Sequence, residues 1–418
     1  MVVSAPTGSG KTGLMELAIL KTLSESIDRT TGDFNHTNGS KKTVYLAPTH
    51  ALVNEKFEDW RARFGSIGLN VITMTDDDLQ ELGQKMKTAD VILCTPERLD
   101  VITRKRKKLH MAFLADIALV LIDEVHILDD ERGAAIEAIV SRFKLMSTHP
   151  EITTHSCPIS KLRFVAVSAT IPNVADVGEW LCCPDGAVKA YGEERRPVKL
   201  VTTVKGYDEL KNAFLFERKM SSYLFDLITR YGKGKSVLIF CTSRNDAVQS
   251  ASTLCERASH DNCYVYSREQ SDALFREIAN VKDARLRSML CKGVGFHHAA
   301  MEKSDKLIVE QLFLARKITV LCATTTLAYG VNLPGESHDR DALAWSPTLT
   351  PHSPPRAPHA SPAAYLVLIK STRHWDPKRA GYKEYDRSLC LQMAGRAGRP
   401  QFETEGRCIV MTVRRRIA

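Results

Sequence analysis

The segment SAPTGSGKT, residues 4–12, constrains the fold of this chain more than any other stretch. It follows a short apolar run, Val2-Val3, and precedes an amphipathic stretch at residues 13–23. That order predicts a strand, a tight loop and a helix. A glycine-rich turn that happens to contain a lysine is the alternative, but the flanking pattern favours a phosphate-binding loop.

The residues of this loop suit a nucleoside triphosphate. Gly8 and Gly10 let the backbone turn its N–H groups inward, and with the N-terminus of the following helix these groups form a cradle for phosphate oxygens. Lys11 can reach the β- and γ-phosphates, and the hydroxyl of Thr12 can ligate Mg²⁺. The loop therefore predicts ATP and Mg²⁺ as ligands.

The rest of the chain predicts an α/β fold. Short apolar, β-branched runs each end in a small or polar motif, and helical stretches such as residues 51–64 lie between them. Such runs fit parallel strands buried on both faces, so we expect doubly wound sheets that bind ligands beyond the carboxyl ends of their strands. The runs that we assign to strands are residues 43–46, 91–93, 119–122, 164–167, 237–240, 294–296, 319–321 and 366–369.

Length, charge and cysteine usage limit the classes of protein that fit. At 418 residues the chain is long enough for two or three domains, and a net charge of +9 permits contact with a polyanion. No apolar run approaches the ~20 residues of a membrane helix, so we expect no membrane partner. The 11 cysteines form no C-x-x-C pair, so we expect reduced thiols and no structural zinc.

Two domains are predicted, with a junction near Pro197. The stretch ERRPVKL contains this proline and is followed by strand-forming residues, so we divide the chain into domains at residues 1–197 and 198–418. Residues 335–362 are proline-rich, lack apolar periodicity and should be disordered. Because the flanking residues would join smoothly without it, we interpret this segment as an unspliced intron or a recent insertion.

Two further motifs carry chemistry. Asp123 and Glu124 follow an apolar strand; Asp123 can hold Mg²⁺ opposite the phosphate loop, and Glu124 can orient and deprotonate an attacking water. In the second half, Arg396 and Arg399 lie three residues apart, and we expect both on one helical face. A cleft that closes on ATP would bring these guanidinium groups onto the γ-phosphate.

Together these segments resemble a superfamily 2 DExH-box helicase of the Ski-like group. SAPTGSGKT, DEVH, VSATIPN, TTTLAYGVNLP and QMAGRAGRP resemble motifs I, II, III, V and VI of that group, in the same order. The stretches FEDWRARFGSIGLNV and FHHAAMEKSD most resemble the meiotic crossover DNA helicases. The resemblance implies two tandem RecA-like domains with the ATP site in the cleft between them.

The resemblance also implies roles for individual residues. Those expected to act in catalysis are Lys11, Asp123, Glu124, Arg396 and Arg399, with Mg²⁺ held by Thr12 and Asp123. Those expected to bind the nucleotide are Ala5, Pro6, Thr7, Gly8, Ser9, Gly10, Lys11, Thr12, Gly330 and Gln392. Those expected to couple hydrolysis to domain movement are Ser168, Ala169 and Thr170. Those expected to line the nucleic-acid track are Pro48, Thr49, Thr95, Pro96, Arg244 and Thr325.

The function that follows is an ATP-dependent 3′–5′ DNA translocase of meiotic recombination. Its partners would be single-stranded or branched DNA and recombination proteins, and its location the nucleus. An RNA helicase of the same group stays open, because no residue in the sequence separates DNA from RNA. An inactive helicase fragment is a third hypothesis, since relatives continue beyond motif VI and we expect this sequence to be a truncated two-domain core.

Overall fold

The computed structural model describes most of the chain. The described residues are 1–28, 30–31, 34–74, 79–104, 108–129, 133–150, 157–169, 171, 173–210, 212–257, 269–328, 362–376, 381–399 and 402–414. The expected disordered segment, apart from its last residue, lies outside these ranges, as do Thr170 and Gly330. In the part of the chain that the structure describes, no helix is both long and apolar enough to cross a membrane.

The first half of the chain forms a seven-stranded parallel sheet. Its spatial order is β3-β4-β2-β5-β6-β1-β7. The strands are β1 (Val2–Ser4), β2 (Lys42–Leu46), β3 (Val71–Thr73), β4 (Val91–Cys94), β5 (Ile117–Ile122), β6 (Arg163–Ser168) and β7 (Val188–Ala190). Each neighbouring pair is parallel, so the carboxyl ends of all these strands lie at one edge.

The second half forms a six-stranded parallel sheet and a small hairpin. The order of the sheet is β10-β11-β9-β12-β15-β8. Its strands are β8 (Lys199–Tyr207), β9 (Val237–Phe240), β10 (Val294–His297), β11 (Val320–Ala323), β12 (Leu366–Ile369) and β15 (Glu405–Val413). The hairpin pairs β13 (Arg373–Asp376) with β14 (Gly381–Glu384) in antiparallel fashion.

Helices cover these sheets. In chain order they are α1 (Lys11–Leu23), α2 (His50–Gly65), α3 (Leu79–Thr88), α4 (Pro96–Thr103), α5 (Lys108–Ala115), α6 (Gly133–Ser147), α7 (Val174–Trp180), α8 (Ala213–Tyr231), α9 (Arg244–Arg257), α10 (Glu269–Ile278), α11 (Ala284–Leu290), α12 (Lys303–Leu314) and α13 (Arg387–Gly395). Short 3₁₀ turns, among them Val125–Asp129 and Thr325–Leu327, follow strands β5 and β11.

Alternate side chains of the first sheet pack into two separate apolar clusters. Met15 of α1 and Trp60 of α2 join one cluster with Tyr45 and Leu121. Helices α4 and α6 join the other, which contains the alternate strand residues. Burial of both faces explains why the strands read as continuous apolar runs. The predicted fold class, α/β with two doubly wound parallel sheets, is confirmed.

Candidate active site

The phosphate loop connects β1 to α1 in the geometry that its sequence predicts. Gly8 and Gly10 have φ angles of +84° and +91°, in the left-handed region that favours glycine. A Cβ added at either position would meet no atom within 4 Å, so open space lies in front of the loop. These glycines are therefore required by backbone conformation, and the space beside them suits a bound anion.

Lys11, the first residue of α1, is held by the loop itself. Its Nζ donates hydrogen bonds to the carbonyl oxygens of Ala5 at 2.8 Å and Pro6 at 3.1 Å. Burial lowers the pKa of the Lys11 ammonium, while the negative charges of Glu124 and Asp123 oppose that effect. The ammonium is thus fixed beside two carboxylates at the mouth of the loop.

Asp123 lies directly after β5, at the carboxyl edge of the first sheet. The hydroxyl group of Tyr45 donates a hydrogen bond to Asp123 Oδ2 at 2.7 Å. Burial raises the pKa of Asp123 to about 6, and the adjacent charge of Glu124 adds to the rise. A partly buried carboxylate in this position favours a cation beside it.

Glu124 has a strained backbone. Its φ angle is +51°, which is uncommon for a residue with a side chain. Its Oε2 lies 3.2 Å from Nδ1 of His126 and accepts a hydrogen bond from the Ala169 amide at 3.4 Å. Burial alone would raise the pKa of Glu124, but the His126 contact and the charge of Lys11 outweigh it and lower the pKa. Glu124 is therefore a carboxylate at neutral pH.

A cavity of about 380 Å³ collects these groups from both domains. The first domain contributes the phosphate loop, the acidic pair and one face of α2, and the second contributes the end of α13 and the turn after β11. The lining residues are Thr7, Gly8, Gly10, Lys11, Thr12, Pro48, Leu52, Glu55, Lys56, Asp123, Glu124, Ala328, Gln392 and Arg396.

The two domains touch at the rim of this cavity. A Cβ added at Gly395 would lie 2.8 Å from Thr7 Oγ1 and 3.1 Å from Thr7 Cβ, so the glycine permits a close approach. Arg196, in the segment between β7 and β8, donates to the carbonyl oxygens of Gly395 and Ala397, both at 2.9 Å. The predicted domain boundary at residues 197/198 also falls in this segment.

A chain of polar contacts crosses between the domains through His126. Nδ1 of this imidazole lies 2.8 Å from Ser168 Oγ, and Nε2 lies 3.3 Å from Nε2 of Gln392. With its proton on Nδ1, His126 can donate toward Glu124 or Ser168 and accept from the Gln392 amide. The acidic pair, the end of β6 and α13 are thereby connected.

Arg396 and Arg399 point in different directions. Helix α13 ends at Gly395, and Gly398 has a φ angle of +86°, so the expected common helical face does not form. Arg396 lines the cavity, where its Nη2 donates to the Ala328 carbonyl at 2.8 Å. Arg399 is buried in the second domain; its Nε donates to the Ala363 carbonyl at 2.5 Å, and its guanidinium lies 5.5 Å from the ring centre of Phe313.

The residues predicted to line the nucleic-acid track form two groups, one in each domain. Thr49 and Thr95 are the N-caps of α2 and α4, at the carboxyl edge of the first sheet, and Pro96 opens α4. Arg244 is exposed at the first residue of α9, beside a separate cavity of about 910 Å³, and Thr325 follows β11. Pro48 is the exception, because it lines the nucleotide cavity itself.

Several residues in or beside the cavity were not predicted from the sequence. Glu55 and Lys56 follow Leu52 on α2 by three and four residues, which places all three on one helix face. That spacing could have predicted that the three side chains face the same cavity. Tyr45 gave no signal, because its contact with Asp123 depends on the register of β2 beside β5. Among the described residues, no group of three or more His, Cys, Asp and Glu side chains could hold a metal ion by itself.

Comparison with known proteins agrees with this arrangement. Residues 1–177 match the family model for the DEAD/DEAH box helicase. Residues 1–177 therefore carry a DEAD/DEAH box helicase domain. The family resemblance that the motifs indicated is thereby confirmed.

Several relatives match nearly the whole chain, and three of them illustrate the similarity. It is 44% identical over 418 residues to the ATP-dependent DNA helicase homolog MER3 of Arabidopsis thaliana, covering 99% of this chain and 34% of that protein. The MER3 homolog of Oryza sativa subsp. japonica is 43% identical, covering 99% and 32%. MER3 of Saccharomyces cerevisiae is 34% identical, covering 98% and 30%. The chain spans about a third of the length of these relatives.

Proposed function

We propose that this chain is the ATP-hydrolysing core of a 3′–5′ DNA helicase. The observation that carries the proposal is the cavity that joins the phosphate loop and the acidic pair of one domain to Gln392 and Arg396 of the other. A site divided between two domains changes when the domains move, so hydrolysis there can be coupled to translocation.

The residues present suit Mg·ATP. The inward N–H groups of the phosphate loop and the Lys11 ammonium would hold the phosphates, and the side chains of Thr12 and Asp123, which line the same cavity, would hold Mg²⁺. Bound Mg²⁺ supplies charge neutralisation at the phosphoryl group. The left-handed glycines with open space beside them support this assignment.

Glu124 and Arg396 have complementary roles in this proposal. Glu124 is ionised at neutral pH, so its carboxylate can orient a water molecule and take its proton. Arg396 brings a guanidinium from the second domain to the same cavity, where it can stabilise negative charge on the transferring phosphoryl group. For Arg399 the same role stays a prediction that requires its side chain to leave Ala363 and Phe313.

The proposed path of coupling runs through His126. Ser168 lies at the end of β6 and Gln392 in α13, and the imidazole contacts both of them as well as Glu124. A change in the position or charge of Glu124 can therefore affect both domains through the side chain of His126. Ala169, whose amide contacts Glu124, belongs to the same path.

DNA is the proposed substrate because the relatives are named as DNA helicases. The resemblance to the meiotic crossover helicases supports a role in meiotic recombination, in the nucleus and beside recombination proteins. Helix N-termini at Thr49 and Thr95 and the exposed Arg244 suit contacts with phosphates, which carry no base information. We therefore expect sequence-tolerant binding that weakens as salt increases.

The test is ATP hydrolysis by the purified chain without polynucleotide, with single-stranded DNA and with single-stranded RNA. We expect DNA to stimulate hydrolysis. Lys11→Ala should lower the rate by at least about a hundredfold, because it removes a fixed charge from the transferring phosphoryl group. Glu124→Gln should lower the rate similarly but keep nucleotide binding, which separates chemistry from folding.

Each outcome decides between the hypotheses. Stimulation by RNA alone would show that RNA, and not DNA, is the substrate. Absence of hydrolysis in a folded, nucleotide-binding chain would favour the inactive fragment. Hydrolysis that survives Lys11→Ala unchanged would contradict the assigned site.

A further inference from the structure

Lys56 occupies a position that none of the motifs explains. It lies on the face of α2 that lines the nucleotide cavity, together with Leu52 and Glu55. Its Nζ donates a hydrogen bond to Thr12 Oγ1 at 3.3 Å. The side chain also borders an adjoining cavity of about 300 Å³ between α1 and α2, which gives it room to move aside.

The same ammonium acts on Asp123. Burial and the charge of Glu124 raise the pKa of Asp123, and the positive charges of Lys56 and Lys11 oppose that rise. Lys11 is held by the carbonyl oxygens of the phosphate loop, whereas Lys56 contacts Thr12 directly. The ammonium of Lys56 therefore contacts one of the side chains that we assign to Mg²⁺ and lines the same cavity as the other.

We propose that Lys56 is a built-in substitute for the divalent cation. Before Mg·ATP binds, its ammonium hydrogen-bonds to Thr12 and supplies positive charge in the cavity that Asp123 lines, and it must withdraw when the metal enters. Two adjacent, partly buried carboxylates are stabilised by nearby positive charge, and a lysine supplies it without a fixed coordination geometry. Lys56 thereby stabilises the site when no nucleotide is bound. It also raises the Mg²⁺ concentration that is needed for metal-dependent binding of the nucleotide. This inference rests on the proposed function, because it concerns the same nucleotide site.

The test uses Lys56→Met, which keeps the length of the side chain and removes its charge. The probe is fluorescent N-methylanthraniloyl-ADP, bound by the full chain in EDTA and across a Mg²⁺ titration. In Mg²⁺ the half-saturating metal concentration should fall by about threefold to tenfold, because no ammonium competes with the metal. In EDTA the affinity for the probe should instead fall about threefold, because a cation near the phosphates is lost.

Two controls define these changes. Lys56→Arg keeps the charge and should move both values back toward those of the unchanged chain. Lys21→Met removes an exposed charge from the last turn of α1 and should leave both values within about twofold.

Loss of the Lys56 charge should strengthen the binding of Mg²⁺ but weaken the binding of the probe in EDTA. A purely structural role would weaken both, so the two measurements distinguish the proposal from it. If Lys56→Met weakens binding in both conditions, or leaves the Mg²⁺ dependence unchanged, the inference is wrong. If the folded, unchanged chain binds no probe in either condition, the proposed nucleotide site fails and the inference fails with it. Circular dichroism confirms folding of each variant in both cases.

Discussion

A buried ion pair in the second domain allows a quantitative prediction. Lys370 follows β12, and its side chain is 1% exposed. Its Nζ contacts the Asp246 carboxylate and donates to the hydroxyl groups of Ser221 at 2.7 Å and Ser250 at 3.1 Å. Asp246 in turn accepts from the Thr242 amide at 3.1 Å, which holds the loop before α9.

Lys370→Met should destabilise this domain strongly. Methionine matches the length of the lysine but leaves the Asp246 carboxylate buried without its cation, which typically costs about 3–5 kcal/mol. At roughly 2–4 °C per kcal/mol for a domain of this size, the melting temperature should fall by roughly 6–20 °C. Differential scanning calorimetry can follow the second domain separately if the two domains unfold in different transitions.

Two further variants test whether the loss of stability comes from the unpaired charge of Asp246. Lys370→Met combined with Asp246→Asn removes the stranded charge and keeps an acceptor for Thr242, so it should recover at least half of the loss. Lys317→Met breaks a comparable pair with Glu277 whose side chains are 25% and 45% exposed, and should cost less than about 1 kcal/mol. A loss for Lys370→Met no larger than that of Lys317→Met, or a double variant less stable than the single one, would refute the buried-charge argument.

Two other predictions concern the nucleotide site. Gly395→Ala should lower ATP hydrolysis by about tenfold without changing the melting temperature, because the added methyl group collides with Thr7 and keeps the domains apart; an unchanged rate would contradict the close approach. Because burial raises the pKa of Asp123 to about 6, kcat/KM should fall as the pH drops below that value and Asp123 takes up a proton. Tyr45→Phe removes a hydrogen bond to the charged form and should raise the midpoint by about one pH unit; a pH–rate profile with an unchanged or lower midpoint would disprove this role.

The sequence predicted the central strands well for a physical reason. Strand β5 is buried on both faces, so every one of its residues is apolar and the run is visible without knowing its neighbours. The hairpin β13–β14 has no such signal, because its strands are short and carry charged residues. Strand β15 was also missed; nine of its residues pair with the edge strand β8, and that partner is distant in the chain.

Within the candidate site, groups of consecutive residues could be predicted, and groups created by packing could not. The phosphate loop and the Asp123-Glu124 pair, which line one cavity, could be singled out because each is a continuous segment. The separation of Arg396 from Arg399 depends on where α13 ends, and the left-handed conformation of Gly398 turns the chain there. Spacing alone predicted a shared face, because it assumed that the helix continued.

The charges of the cavity indicate why the second domain has to take part. Three cationic and three acidic side chains line it: Lys11, Lys56, Arg396, Glu55, Asp123 and Glu124. Mg·ATP keeps a net negative charge, so its binding to this balanced set leaves the site short of positive charge. Arg399 is a further cation on the same segment as Arg396, and it now lies against Phe313. We therefore expect nucleotide binding to favour a domain movement that brings Arg399 toward the cavity, and a polynucleotide held by both domains to promote the same movement.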